Sequence, residues 1–220
     1  MVAHPAQCGA DASHARRDAC SMLRLLVPPV CLVCRAPGAT LCRACRGALP
    51  WLPAAPVRGA AFECAWAPVS YDGAARALVH ALKLRGLTAA ADLMAAQIAA
   101  GAPAELLAGR TLVPVPGSPR KRRARGFDPS DRITRALARR TGLPVRAVLR
   151  PRAGAGSQVG AGREQRLRRA AIDVAGRAPE RALLVDDVQT TGATLEACAR
   201  ALKHAGAETV VAVTYARTLG

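Results

Sequence analysis

The segment LLVDDVQTTGATL (residues 183–195) decides the fold class and the chemistry predicted for this chain. An apolar run leads into two adjacent acids, and a Thr-Thr-Gly-Ala-Thr sequence then opens an apolar helical pattern. Ligands of open α/β sheets bind at the carboxyl ends of the strands, and backbone N–H groups at a helix N-terminus bind anions. The segment therefore predicts a strand, a phosphate-binding turn and a helix in succession.

The turn after the two acids has the composition of a phosphate site. Gly192 permits close approach of a phosphate, and threonine hydroxyls add donors to the backbone N–H groups. The predicted phosphate-binding residues are Val188, Gln189, Thr190, Thr191, Gly192, Ala193 and Thr194. Asp186 and Asp187 can accept hydrogen bonds from the two ribose hydroxyls or assist Mg²⁺, and we predict that they are the catalytic acids.

The alternative is an ordinary strand–turn–helix with a threonine N-cap and two exposed acids. Two adjacent acids at the end of so apolar a strand argue against it. The segment resembles the motif that binds 5-phosphoribosyl 1-pyrophosphate (PRPP) in type I phosphoribosyltransferases.

Around this segment, the apolar pattern alternates between the periods of strand and helix. It predicts strands at residues 62–71, 111–115, 145–149, 181–185 and 209–213, and helices at 74–84, 89–107, 129–140, 163–169 and 191–204. Such alternation favours a mainly parallel sheet covered by helices on both faces. The predicted fold class is α/β, with a type I phosphoribosyltransferase-like sheet in residues 58–220 and a small zinc-ribbon module before it.

The start of the chain lacks this alternation. Residues 1–20 show neither period and are predicted to be a disordered tail, and a short helix is expected at 19–26, before two prolines. Residues 21–57 hold a cysteine cluster and a Pro-rich connector at 50–57, which marks a domain boundary.

Two CxxC pairs separated by seven residues form the cysteine cluster: Cys31, Cys34, Cys42 and Cys45. Four thiolates suit tetrahedral zinc, and because no coordination position is left open, the zinc would be structural. Three arginines stand where they can offset the negative charge of such a site: Arg35, Arg43 and Arg46. Unrelated reduced pairs or disulfides are the alternatives, and a cytosolic setting disfavours disulfides.

The chain is strongly basic, with a formal net charge of +17 and a sequence pI near 11.1. This balance attracts polyanions, but nearly all the basic residues are arginine, as a GC-rich genome would also produce. Nucleic-acid contact therefore stays open. No apolar run approaches the roughly 20 residues that cross a bilayer, so we expect no membrane span and a cytoplasmic location.

Several short motifs occur in order along the chain. They are the two CxxC pairs, Tyr71-Asp72-Gly73, Leu82-Lys83-Leu84-Arg85-Gly86, Val113-Pro114-Val115-Pro116, Arg125-Gly126-Phe127, Gln158 followed by Arg166, and the terminal VDDVQTTGATL. This ordered set resembles the ComF family, of ComFC type, over residues 22–217. The resemblance implies a phosphoribosyltransferase-like domain that binds PRPP or a related ribose 5-phosphate ligand with Mg²⁺. It also implies an association with natural transformation and DNA uptake, with a competence helicase and recombination-mediator proteins as partners.

The chain departs from the family pattern at three residues. Asp128 and Pro129 follow Phe127 where the family usually has Asn-Gln, and Arg169 stands where an Asn is usual. If those amides position a substrate, their replacement favours a binding protein over an enzyme.

The stretch RKRRAR (residues 120–125) is predicted to be a basic loop on the ligand side of the sheet. Pyrophosphate leaves during phosphoribosyl transfer and needs fixed cations and N–H donors around it. The residues predicted to face it are Pro114, Val115, Pro116, Arg125, Gly126 and Phe127. The same arginines can contact the phosphates of single-stranded DNA, or can form a solvated charge run. Lys83 and Arg85 can reach the site, although surface charge is the more common outcome for such residues.

Two functions remain open at this point. The first is a magnesium-dependent phosphoribosyltransferase, a glycosyltransferase whose acceptor the sequence does not reveal. The second is a non-catalytic adaptor that senses a nucleotide or binds single-stranded DNA and docks a partner through the zinc module.

Overall fold

The computed structural model describes residues 28–152 and 172–219. Several predictions lie outside these residues: the tail at 1–20, the helices at 19–26 and 163–169, and the motif residues Gln158, Arg166 and Arg169.

A parallel sheet lies at the centre of the fold. The strands are β1 (Ala65–Trp66), β2 (Val69–Ser70), β3 (Thr111–Pro114), β4 (Leu149–Pro151), β5 (Ile172–Val174), β6 (Arg181–Gln189) and β7 (Thr209–Arg217). The central sheet has the order β1-β7-β6-β3, β2 also pairs with β7, and every pairing in it is parallel. Strands β4 and β5 form a separate antiparallel pair.

Seven helices accompany these strands in the described residues. They are α1 (Arg43–Gly47), α2 (Gly73–Arg85), α3 (Thr88–Gly101), α4 (Ala104–Leu107), α5 (Pro119–Arg125), α6 (Pro129–Thr141) and α7 (Ala193–His204). Asp72 caps α2 by accepting a 2.7 Å hydrogen bond from the Gly73 amide. Across residues 28–152 and 172–219, the helices are too short or too polar to cross a bilayer.

The two faces of the sheet bury separate hydrophobic clusters. Because side chains alternate along a strand, Leu183 and Val185 of β6 pack with α2, α3 and α6, while Ala182 and Leu184 pack with α7. Leucines of the N-terminal module join the first cluster. The predicted fold class, a mainly parallel α/β sheet flanked by helices with a small N-terminal cysteine module, is confirmed. The predicted boundaries between the tail, the zinc-ribbon module and the phosphoribosyltransferase-like domain stay predictions.

Some elements differ from the predictions near prolines. The strand predicted at 62–71 is two short strands, since Pro68 between them has no amide to donate to a neighbour. The helix predicted at 89–107 is divided into α3 and α4 just before Pro103, because the residue preceding a proline is disfavoured in the helical conformation.

The prediction of a basic loop at 120–125 was wrong, because these residues form α5. Pro119 occupies the first turn, where an amide is not needed, and Gly126 ends the helix with a φ of 75° while its amide bonds to the Arg122 carbonyl at 2.8 Å. The strand predicted at 145–149 was also misplaced: Val145 forms only an isolated bridge to Leu112, and β4 starts at Leu149.

Candidate functional site

A cavity of about 230 Å³ opens beyond the end of β3, beside Asp186 and Asp187 of β6. Its walls come from the acids at the end of β6, the loop after β3, one face of α5, the start of α6, and single residues of α2 and α7: Asp186, Asp187, Val115, Pro116, Gly117, Ser118, Lys121, Arg122, Arg125, Phe127, Asp128, Pro129, Ser130, Lys83 and Thr194. Parallel strands end at the same edge of a sheet, so segments far apart in sequence meet here.

Asp187 is paired with a lysine of α2. The Nζ of Lys83 lies 2.7 Å from Oδ1 of Asp187, and the two side chains are 24% and 10% exposed. Of the two alternatives for Lys83, the structure therefore favours the one in which it reaches the site over that of a free surface charge. Its only signal in the sequence was its place in the Leu82–Gly86 motif.

Asp186 lies beside Asp187 in a network of two short hydrogen bonds. The Ser130 hydroxyl and the Asp187 amide each donate to its Oδ1 at 2.8 Å. Burial, and then the negative charge of Asp187, raise the pKa of the Asp186 carboxyl to about 7. Asp186 is thus balanced between its neutral and charged forms near neutral pH. Sequence reasoning did not identify Ser130, since nothing in its local pattern points to this acid.

Asp128 fixes the loop that follows β3. Its Oδ2 accepts a hydrogen bond from the Gly117 amide at 2.6 Å, and its Oδ1 accepts one from the Ser130 amide at 3.2 Å, which caps α6. Burial is the main cause that raises the pKa of this carboxyl. Both carboxylate oxygens of Asp128 accept hydrogen bonds, whereas the side chain of an asparagine has only one acceptor oxygen.

Pro129, the other departure next to Phe127, occupies the first position of α6, where proline needs no hydrogen-bond acceptor. The pair Asp128-Pro129 therefore starts a helix and holds one wall of the cavity.

Helix α5 supplies three of the four cations that line the cavity, and Lys83 of α2 is the fourth. Lys121, Arg122 and Arg125 line it, which their i, i+1 and i+4 positions on one helical face explain. Within the described ranges, no basic side chain of α5 forms a salt bridge. Phe127 adds an aromatic ring, over which the Arg132 guanidinium lies 5.2 Å from the centroid.

The predicted phosphate turn is shorter than expected. Val188 and Gln189 belong to β6 and pair with β7, so only residues 190–192 connect β6 to α7. Gly192 has a φ of 75° and stands at the N-cap of α7, while the Thr191 hydroxyl accepts a 3.4 Å hydrogen bond from the Ala193 amide.

The structure brings some of the predicted site residues to the cavity and leaves others outside its walls. Those that line it are Asp186, Asp187, Thr194, Val115, Pro116, Arg125 and Phe127. Those that do not are Pro114, Gly126, Val188, Gln189, Thr190, Thr191, Gly192 and Ala193. Their roles in ligand binding stay predictions.

The four CxxC cysteines converge outside the walls of the cavity. Their Sγ atoms all lie within 4.8 Å of one another, and Cys34 and Cys42 are 3.7 Å apart. Zinc–sulfur bonds of about 2.3 Å place the sulfurs of a tetrahedron about 3.8 Å apart. The cluster therefore has the donor atoms and the size for a structural Zn²⁺. The carboxylates of Asp186 and Asp187 are donors of the kind that Mg²⁺ prefers.

Comparisons with known proteins assign no family to the chain. No protein-family model and no curated protein matches the chain. Among solved structures, the chain is similar to the purine phosphoribosyltransferase from Pyrococcus horikoshii Ot3, with 17% identity and a TM-score of 0.32 over 60% of this chain and 82% of that chain. A likeness at this level assigns neither a substrate nor an activity.

Proposed function

We propose that the chain binds PRPP or a related ribose 5-phosphate ligand with Mg²⁺ in the cavity at the end of β6, and that it acts as a phosphoribosyltransferase. The observation that carries the proposal is the meeting of two adjacent acids with three cations of α5 that have no acidic partner in the described residues. Acids suit ribose hydroxyls and a metal ion, and the cations suit phosphates.

Each wall of the cavity has a role in this proposal. Asp186 and Asp187 hold the ribose hydroxyls and Mg²⁺, and Thr194 with the N-terminus of α7 holds the 5′-phosphate. Lys121, Arg122 and Arg125 face the pyrophosphate, with the loop at 115–118 beside them.

Transfer breaks the bond between C1 of the ribose and the pyrophosphate oxygen, and a bond from the acceptor to C1 forms as the acceptor loses a proton. Cations fixed around the leaving group lower the barrier because they stabilise the charge that develops on it.

Calorimetry with PRPP and Mg²⁺ tests the proposal. We expect the Asp186→Asn/Asp187→Asn protein to bind at least about 100-fold more weakly than wild type, since each lost charged hydrogen bond costs about 1.5–3 kcal/mol. Asp92→Asn is the matched control, because Asp92 is half exposed and pairs with Arg139 outside the cavity. Wild type that binds PRPP as poorly as the double variant would refute the proposal.

A second candidate function is a DNA-binding adaptor for a competence helicase and recombination proteins, in keeping with the ComF resemblance and a cytoplasmic location. The observation that favours it is the remaining face of α5: Arg120 and Arg123 are exposed and do not line the cavity. Binding to phosphates would be independent of DNA sequence and strongly dependent on salt.

Fluorescence anisotropy with single-stranded DNA over a salt series tests this candidate. We expect Arg120→Ala/Arg123→Ala to weaken binding and reduce the salt slope by about 1–2. Arg140→Ala, which removes an exposed arginine of α6, should change neither. An affinity that is indifferent to salt would exclude the candidate.

A further inference from the structure

The last turn of α2 contacts both the cavity and the small N-terminal module that carries the two CxxC pairs, here called the cysteine module. Lys83 forms the ion pair with Asp187 at 2.7 Å, and two residues later the Arg85 guanidinium donates a 2.8 Å hydrogen bond to the carbonyl of Leu32. Gly86 lies next to Phe127, since a Cβ built on it would be 3.6 Å from the ring. One helical turn therefore touches the first CxxC pair, an acid of the cavity and the cavity's aromatic residue.

On the module side, the Leu32 carbonyl is held by the fold of the first CxxC pair. Leu32 lies between Cys31 and Cys34, and its amide donates to the Thr40 carbonyl at 3.0 Å. The Arg35 amide closes the turn on the Cys31 carbonyl at 2.9 Å. A metal ion held by Cys31 and Cys34 would fix this turn, and with it the position of the carbonyl to which Arg85 donates.

On the helix side, α2 ends in a defined cap. The Gly86 amide bonds to the Leu82 carbonyl at 3.1 Å and the Leu87 amide to the Ala81 carbonyl at 3.2 Å, with Gly86 at a φ of 62°. Leu82 is fully buried in the cluster that also contains Leu32. A change in the module is thus transmitted to this turn through a hydrogen bond and through packing.

We propose that the cysteine module positions Lys83 in the cavity through Arg85, so that zinc loading of the four cysteines sets the affinity of the cavity for a phosphorylated ligand. Arg85 is a positioning residue, whereas Lys83 faces the ligand. A fixed turn places the Lys83 ammonium beside Asp187 in the wall of the cavity, and small displacements of such groups weaken binding. This inference rests on the ribose-phosphate site proposed above.

Hydrogen exchange in the full-length, zinc-loaded protein tests the link without any ligand. In Arg85→Ala we expect the amides of Gly86 and Leu87 to exchange about three- to tenfold faster, the equivalent of one lost hydrogen bond. The amide of Gly142, which caps α6 in the same way, serves as an internal reference. Arg76→Ala, on the exposed side of α2, should leave all of these amides unchanged.

Removal of zinc from wild type should accelerate exchange at the same two amides. In Arg85→Ala the further acceleration should be smaller than in wild type, because only the packing of Leu82 remains to transmit the change. Unchanged exchange at Gly86 and Leu87 in Arg85→Ala overturns the inference, whatever the ligand experiments show.

Calorimetry with inorganic pyrophosphate and Mg²⁺ then tests the effect on the cavity. Arg85→Ala should weaken binding about three- to tenfold, and Arg85→Lys, which keeps one donor, should recover part of the loss. In a Lys83→Gln background, Arg85→Ala should have no further effect, because its effect passes through Lys83. If the losses of affinity caused by Lys83→Gln and Arg85→Ala add in the double variant, the inference is overturned. Failure of wild type to bind either pyrophosphate or PRPP refutes the proposed function, and the exchange experiment still decides whether Arg85 connects the module to α2.

Discussion

Replacing Asp186 by asparagine should stabilise the protein above neutral pH while it removes ligand binding. The amide oxygen of asparagine can still accept the hydrogen bonds that Ser130 and the Asp187 amide donate to Asp186. The substitution therefore removes mainly the charge. Burial and the charge of Asp187 disfavour that charge in the folded protein, and they raise the pKa from its ordinary value of 3.8 to about 7.

The sign and the size of the effect follow from this pKa. Between pH 4 and pH 7 the folded protein holds a proton at Asp186 that the unfolded chain has released, so the stability of wild type falls as the pH rises. Each pKa unit corresponds to about 1.4 kcal/mol, which gives an upper limit of about 4 kcal/mol. Asparagine does not titrate. The two proteins should therefore be equally stable below about pH 4, and the variant should be more stable by about 1–4 kcal/mol above pH 7.

Urea denaturation of wild type and Asp186→Asn between about pH 4 and pH 8.5 measures this difference. Asp92→Asn, at a half-exposed carboxylate, controls for the loss of one surface charge. Equal stability of wild type and Asp186→Asn at pH 8.5 would refute the reasoning, as would a less stable variant.

In wild type, affinity for PRPP with Mg²⁺ should rise as the pH passes through about 7, because Asp186 becomes charged there.

Two further predictions concern stability and metal content. Asp128→Ala should lower the free energy of unfolding by about 2–4 kcal/mol, since α6 loses its cap and the Gly117 amide loses its acceptor. The control Asp131→Ala breaks one exposed ion pair and should lower it by under about 0.5 kcal/mol. Equal losses for the two variants in urea denaturation would contradict the role of Asp128. We expect elemental analysis to find zinc in wild type and in Cys64→Ser, which lies outside the cluster, but not in Cys34→Ser. Full zinc content in Cys34→Ser would exclude the four-cysteine site.

The fold class could be predicted because its signals are local. The apolar run of β6 and the alternation of strands with helices are properties of neighbouring residues, and they identified the parallel sheet. Helix α5 was missed for a related reason. It has no apolar face, so the spacing of apolar residues does not reveal a helical period there. Its only signals are the proline at its start and the glycine after its end.

The cavity could be predicted only in part. Asp186, Asp187 and Thr194 share one short motif, and their proximity follows from a strand that runs into a helix. Lys83 and Ser130 reach the same acids from helices that are distant in sequence. Their positions depend on how α2 and α6 pack on the sheet, which no local pattern encodes.

The ion pair between Lys83 and Asp187 bears on the order in which ligands arrive. An ammonium already neutralises Asp187, and Asp186 gains its charge only near pH 7, so these two acids offer a bare Mg²⁺ ion little free negative charge. A sugar phosphate offers the ammonium another partner and frees the carboxylate for the metal. We therefore expect titration with Mg²⁺ alone to give no measurable binding near neutral pH, and saturable binding of Mg²⁺ without a phosphate would contradict this. If the proposed function holds, metal and sugar phosphate should enter the cavity as one complex.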